Sequence, residues 1–187
     1  MVNRPPFDIQ PILSGEKTRL RPLAEDDFDA LFVVASDPAI WAMHPYPDRH
    51  KREVFEDFFD EAMMSGGAFA IIDQTDGTMI GSTRFANYDA DADEIEIGWT
   101  FFACSHWRGG YNREVKALML NYIFPHVGNI IFQVGARNFR SRTAVERLGG
   151  RLVKEYVREH QGQHRDYVMY RLTAVDARAG ALGKVIS

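Results

Sequence analysis

Alternation and helical spacing divide the chain into short segments with clear breaks. Thr18-Arg19-Leu20-Arg21-Pro22-Leu23 alternates polar and apolar residues and predicts a first strand. Phe28, Leu31, Phe32 and Ala35 share one face of a helix, opened by Glu25-Asp26-Asp27 and ended by Ser36-Asp37-Pro38. A second helix carries Val54, Phe55, Phe58, Phe59, Ala62 and Met63 and stops at Gly66-Gly67; aromatics at this spacing read as core. Ala68–Asp73 and Thr78–Ala86 read as two strands, and the Asp76-Gly77 pair between them predicts a hairpin. An acidic, solvated loop follows, Asn87-Tyr88-Asp89-Ala90-Asp91-Ala92-Asp93.

The next stretch, Glu94 to Phe124, organises the rest. Glu94-Ile95-Glu96-Ile97 alternates as a strand with one buried face. From Val115 the apolar residues fall at Val115, Leu118, Met119, Tyr122 and Ile123, one side of a helix. Between them lies Trp107-Arg108-Gly109-Gly110-Tyr111-Asn112. Glycines at a helix start let a ligand approach the backbone, and the first helical amides lack internal partners. Such an end binds anions, which predicts a pyrophosphate cradle over Arg108–Asn112. A Gly-rich strand-to-helix turn without a ligand would use the same residues. No Gly-Lys-Ser/Thr ending marks a P-loop, and Gly109–Glu114 lacks the Gly-x-Gly-x-x-Gly dinucleotide fingerprint.

Beyond Pro125, Ile130–Ala136 predicts a strand and Asn138 caps a short helix that Gly149 ends. Leu152–Arg158 and Tyr167–Leu172 form a closing hairpin whose turn includes Gln161-Gly162-Gln163. The order is then strand, two helices, three strands, helix, strand, helix, two strands. Residues 1–14 are Pro-rich and read as irregular; residues 174–187 are weakly patterned and stay unassigned.

The length of 187 residues suits one domain, with a core over about 18–172. A net charge of -4 argues against nucleic acid as a partner. The one cysteine, Cys104, excludes an internal disulfide framework, and no histidine spacing suggests a metal. No apolar run is long enough to span a bilayer, and MVNRPPFDIQ lacks the apolar centre of a signal peptide. The expectation is a cytoplasmic protein, monomer or homodimer, with no membrane partner.

Two motifs carry a family resemblance. Trp107-x-x-Gly110-x-Asn112 resembles the acyl-CoA loop of the GNAT superfamily of N-acetyltransferases, Gln/Arg-x-x-Gly-x-Gly/Ala. It keeps the glycine and departs at two positions. The aromatic first residue is usual in the branch resembling ribosomal-protein N-terminal acetyltransferases. Asn138-Phe139-Arg140-Ser141, followed by Glu146-Arg147-Leu148-Gly149, is similar to the family's Asn-x-x-Ser and Glu-Lys-Leu-Gly. The resemblance covers roughly Thr18 to Leu172. It implies an α/β (α+β) fold with a single mixed, strongly twisted sheet of about seven strands and helices on both faces. It implies acetyl-CoA as co-substrate, an amine acceptor and no metal; succinyl transfer, or CoA binding without turnover, are the alternatives.

Residue by residue, the resemblance implies that Thr100, Phe101, Phe102 and Ala103 offer a free strand edge to the pantetheine arm. Their apolar run equally reads as a buried strand. Asn138 is expected to bind the same arm, and Arg142, from the cluster Arg137, Arg140 and Arg142, to meet CoA phosphates. The family's usual acid, a tyrosine seven residues after the motif asparagine, is Val145 here. Ser141 is then the candidate donor to the leaving thiolate, or a local backbone partner at a helix start. Glu94 and Glu96 lie on one side of the strand and are the candidate bases, or plain solvent-facing residues. Ile40–Pro47 is unusually aromatic for a connection, and in the family that connection overhangs the acceptor side. Trp41, His44 and Tyr46, opposite Tyr156 on the final hairpin, are therefore expected to line the amine pocket; a cluster sealing the core is the other reading.

Overall fold

The computed structural model describes residues 5–160 and 162–183. One mixed sheet of eight strands runs through the molecule in the order β1-β2-β3-β4-β5-β6-β8-β7. The strands are β1 (Leu13–Ser14), β2 (Thr18–Pro22), β3 (Ala68–Asp73), β4 (Met79–Asp89), β5 (Glu94–Phe102), β6 (Asn129–Gly135), β7 (Arg151–His160) and β8 (Gln163–Thr173). All pairings are antiparallel except β5 with β6. Six α-helices accompany it among the described residues: α1 (Phe28–Ala35), α2 (Pro38–Trp41), α3 (Arg52–Ser65), α4 (Tyr111–Ile123), α5 (Phe139–Arg147) and α6 (Ala174–Ala179).

The expected elements form where patterning placed them, because both helical stripes find a sheet face to cover. Phe55, Phe58, Phe59 and Ala62 of α3 join Leu31, Ala35 and Trp41 against Ala68, Ala70 and Phe101 on one face. Val115, Met119, Leu120 and Ile123 of α4 and Val145 of α5 pack on Ile95, Ile97, Ile130 and Phe132 on the other. Gly66 ends α3 at φ +62, a left-handed value glycine adopts without a Cβ clash. Asp73–Met79 makes the β3–β4 hairpin with Gly77 at φ +75.

Three expectations are corrected. The region read as irregular supplies β1, whose Leu13 pairs with Leu20, so the sheet has eight strands rather than about seven. Two residues are too short for an alternating pattern to register. The unassigned C-terminal region holds α6, capped by the Thr173 hydroxyl, which accepts from Asp176 N. Ala177 and Leu182 are fully buried there, so the core extends past Leu172. Pro38 ends α1 but also opens α2, where Asp37 caps the amide of Ala39 at 2.9 Å. The turn residue Gln161 lies outside the described residues.

The parallel pair β5–β6 shapes the centre. Its ladder runs only from Glu94↔Asn129 to Glu96↔Ile131. Beyond it β6 stays paired to β8 through Gly135↔Tyr167, and β5 stays paired to β4 through Phe102. The two central strands therefore diverge after Glu96, leaving one edge of each unpaired. β5 also bulges: Ser82↔Phe101 and Arg84↔Gly98 set three steps of β5 against two of β4. Trp99, inside that bulge, sits at φ +53. Such a backbone costs a bulky residue about 1–3 kcal/mol, and strain of this kind collects at functional sites.

Candidate active site

The divergence opens a cavity of about 800 Å³, of a size that takes a substantial ligand. Its walls come from β5, β6, α4, α5 and the 40–49 connection.

One wall is the strand-to-helix turn that opens α4. Gly109 and Gly110 adopt φ +91 and +88, and Gly110 precedes the first turn of α4. The first helical bond runs from Glu114 N to Gly110 O at 2.9 Å, so the amides of Tyr111, Asn112 and Arg113 have no partner within the helix. A Cβ on Gly110 would meet nothing within 4 Å. The turn is braced from outside. Lys17 Nζ donates to Gly109 O at 2.5 Å, and the Tyr111 hydroxyl donates to Asp73 Oδ2 at 2.9 Å. The Thr75 amide, with help from Tyr111 and His106, holds the Asp73 carboxyl at about 2. The arrangement fits a pyrophosphate: free amides, no side chain in the way and a helix dipole behind them. Gly110, Tyr111 and Asn112 line the cavity, whereas Arg108 and Gly109 are exposed beside it.

Glu96 stands at the fork of the sheet as the last residue of β5 paired with β6. It is 3% exposed. Its Oε2 accepts from Asn87 Nδ2 and Gln133 Nε2, both at 2.7 Å. Oε1 accepts no hydrogen bond among the described residues. Burial raises its pKa above the usual carboxylate value, and the two amides oppose that rise. Asn87 reaches it from a second irregularity of β4, at φ +52, a left-handed value asparagine tolerates. Gln133 Oε1 in turn accepts the Tyr156 hydroxyl. Tyr156 thus reaches the site through Gln133, and Tyr167 is the hairpin tyrosine on the cavity wall. Glu94, two residues earlier, lies outside the wall with Arg171 Nη2 3.8 Å away. The parallel ladder closes the sheet at Glu94, and the cavity begins only where it opens.

On α5, Asn138 is the helix cap, accepting from Ser141 N at 3.2 Å, and both residues line the cavity. The Ser141 hydroxyl makes no hydrogen bond among the described residues. Arg142 turns away: Nε donates to the Tyr170 hydroxyl and Nη1 to Ala136 O, both at 3.0 Å. Residues three or four apart share a helix face. Ser141, Ala144, Val145 and Leu148 face the cavity, and Arg142 lies off that face. The cation from this cluster on the wall is Arg140, 3.8 Å above the Trp107 ring. Phe101 and Phe102 line the cavity, but Ala103 N pairs with Ile80 O and leaves it.

The aromatic connection covers the opening, held at Gly135, where a Cβ would lie 2.3 Å from Pro45 Cγ. Trp41, His44 and Tyr46 all reach the wall. Trp41 is 3% exposed, donates from Nε1 to Ala35 O and packs on Phe101, so it seals the core as well. The Tyr46 amide donates to His44 Nδ1 at 3.0 Å, and burial drives the His44 pKa well below its usual value.

Sequence reasoning missed Gln133, Asn87, Arg49, Arg158 and Lys116. Only Lys116 left a signal: it shares a helical stripe with the fully buried Leu120 and Ile123. It is 6% exposed and donates to Thr100 Oγ1 at 2.6 Å and Thr83 Oγ1 at 3.3 Å, behind the unpaired edge of β5. Burial lowers its pKa to about 7. Cys104 is no competing nucleophile, since burial and the neighbouring Asp37 push its thiol up to about 11. Among the described residues no group of three His, Cys, Asp or Glu side chains could hold a metal. Nor is any helix among them long and apolar enough to cross a membrane.

A family model described as acetyltransferase (GNAT) domain matches residues 17–151. Among solved structures, the chain resembles a GCN5-related N-acetyltransferase from Brucella melitensis at 25% identity and a TM-score of 0.76, over 94% of this chain and 84% of that one. An acetyltransferase (GNAT family) from Bacillus anthracis gives 20% identity and a TM-score of 0.72, over 87% of this chain and 98% of that one. Mycobacterium smegmatis RimJ in complex with CoA-disulfide gives 20% and 0.69, over 90% and 88%. The last two share the fold. No curated protein matches the chain by sequence.

Proposed function

The chain belongs to the acetyltransferase (GNAT) family, and on that premise we propose that it transfers an acetyl group from acetyl-CoA to a primary amine. The single observation carrying this reading is Glu96: a buried carboxylate, one oxygen held by two amides and the other left open, in the same cavity as the unpartnered amides of α4. The fold shared with RimJ in complex with CoA-disulfide, and with a ribosomal-protein-serine acetyltransferase from Vibrio cholerae, supports a place in the ribosomal-protein acetyltransferase branch. A protein N-terminus is then one class of acceptor and a small amine another. The proposed setting is a single cytoplasmic domain, monomer or homodimer.

Acetyl-CoA supplies the acyl group as a thioester, already activated toward amines. The chain's residues do the rest. The amides of Tyr111–Arg113, with Arg140 nearby, hold the pyrophosphate, and the open edge over Gly98–Phe102 with Asn138 takes the pantetheine arm. Glu96 Oε1 receives the amine proton, directly or through water, and its raised pKa brings it closer to that of a working base near neutrality. The Ser141 hydroxyl donates to the leaving sulfur. Asn87, Gln133 and, through Gln133, Tyr156 position the carboxylate. The test is to incubate the protein with acetyl-CoA and an amine panel and to identify acetylated amine by mass spectrometry. Acetylated product that vanishes in Glu96→Gln is expected; equal product from that variant would contradict the assignment.

A further inference from the structure

The proposed chemistry leaves the guanidinium groups on the acceptor side without a task. Arg49 is 8% exposed and lines the cavity. Its guanidinium lies 4.4 Å from the Phe58 ring, 5.1 Å from Tyr46 and 5.7 Å from Trp41. Its only hydrogen-bond neighbour among the described residues is His44 Nε2 at 3.2 Å. Arg158, on the opposite wall, stands over the Tyr167 ring at 5.6 Å and has no hydrogen-bond partner for its guanidinium among the described residues. Arg84, behind the Trp99 ring at 4.6 Å, adds a third positive charge, with its Nε and Nη2 buried and unpartnered.

We propose that Arg49 and Arg158 form an anchor for a carboxylate carried by one of the two reactants, either the acceptor amine or the acyl group. This rests on the acyl-transfer reading only for the identity of those reactants. A buried guanidinium without a carboxylate partner costs the folded state stability, and stacking on aromatic rings offsets only part of that cost. What stacking does achieve is orientation, leaving the planar fork free to take a carboxylate by two parallel bonds. The local charge agrees. Against Arg49, Arg84 and Arg158 stand the carboxylates of Glu61 and Glu96, and Glu96 is already engaged by Asn87 and Gln133. Burial brings Arg49 only to about 10, so it remains a cation at neutral pH. His44, held neutral by burial, does not compete with it for the anion.

The test is a binding measurement on the full chain, independent of turnover. In the acceptor arm, N-acetylglycine and its primary amide are titrated calorimetrically into CoA-saturated protein. In the acyl arm, the affinities of succinyl-CoA and acetyl-CoA are compared. The carboxylate-bearing member of one arm is expected to bind at least about tenfold more tightly. That preference should disappear in Arg49→Met and in Arg158→Gln, with CoA affinity unchanged. Arg158→Gln, at a half-buried strand position, covers the case in which Arg49→Met fails to fold. Equal affinities in both arms, or a preference that survives Arg158→Gln, would overturn the proposal. Failure of the acyl-transfer reading would show elsewhere, as absent product in the amine panel.

Discussion

Gln133 Nε2 donates to Glu96 Oε2 at 2.7 Å, the oxygen that Asn87 also holds, and Oε1 accepts no hydrogen bond among the described residues. Gln133 sits on β6 just past the last β5–β6 pair, so the same divergence that opens the cavity lets its amide reach across to Glu96. The ionised form of Glu96 gains from that amide, and burial works against it. Gln133→Leu should therefore raise the Glu96 pKa further. A base must be deprotonated to act, so the acid limb of the kcat/KM profile should move to higher pH, with the alkaline plateau less affected. An unmoved limb, or one displaced to lower pH, would remove Gln133 as a positioning residue.

Gly110 takes φ +88 and has open space where a Cβ would go. Gly110→Val strains the backbone by roughly 1–2 kcal/mol and puts a side chain where the phosphates are expected. CoA affinity should fall sharply while the melting temperature changes by only a few degrees. Calorimetry showing unchanged CoA affinity in a folded variant would displace the phosphate site from this turn.

Ser141 has its amide tied to Asn138 and its hydroxyl left to the cavity. If the hydroxyl assists the leaving sulfur, Ser141→Ala should lower kcat by about 100-fold, the lower end for one acid–base group. CoA affinity should barely change. A loss of only about two- or threefold would leave Ser141 as a helix-start residue.

Lys116 links burial to pH. Its folded pKa is about 7 against an ordinary 10.5, so the folded state disfavours the charged amine. Above about pH 10.5 the group is neutral in both states and carries no penalty. The penalty grows as pH falls toward 7 and is complete below it, on the order of a few kcal/mol. Wild-type stability should therefore rise between pH 7 and 10 relative to Lys116→Met. Stabilities that run parallel in the two proteins across that range would contradict a lowered Lys116 pKa.

Much of this fold was legible because the helical stripes at Phe28–Ala35, Val54–Met63 and Val115–Ile123 each had a sheet face to cover. The Gly109-Gly110 turn was legible for a local reason, since paired glycines before an amphipathic helix mark a sharp strand-to-helix break, and both adopt left-handed φ there. What stayed hidden depends on non-local geometry. Alternation puts Glu94 and Glu96 on the same side of β5, and only the end of the β5–β6 ladder separates their surroundings. Arg142 and Arg140 are equally basic on paper; the helix phase gives the first to Tyr170 and the second to the cavity. Gln133 and Arg49 carry no motif, and their meaning comes from residues distant in the chain.

The most direct test of the account measures release of free thiol from acetyl-CoA, with and without an amine panel, in wild type and Glu96→Gln. CoA affinity is matched by calorimetry. The account predicts thiol release that requires an amine, and at least about a 100-fold lower rate in Glu96→Gln at equal CoA affinity. Tight CoA binding with no amine-dependent thiol release across the panel would contradict it, leaving a module that binds CoA without turnover.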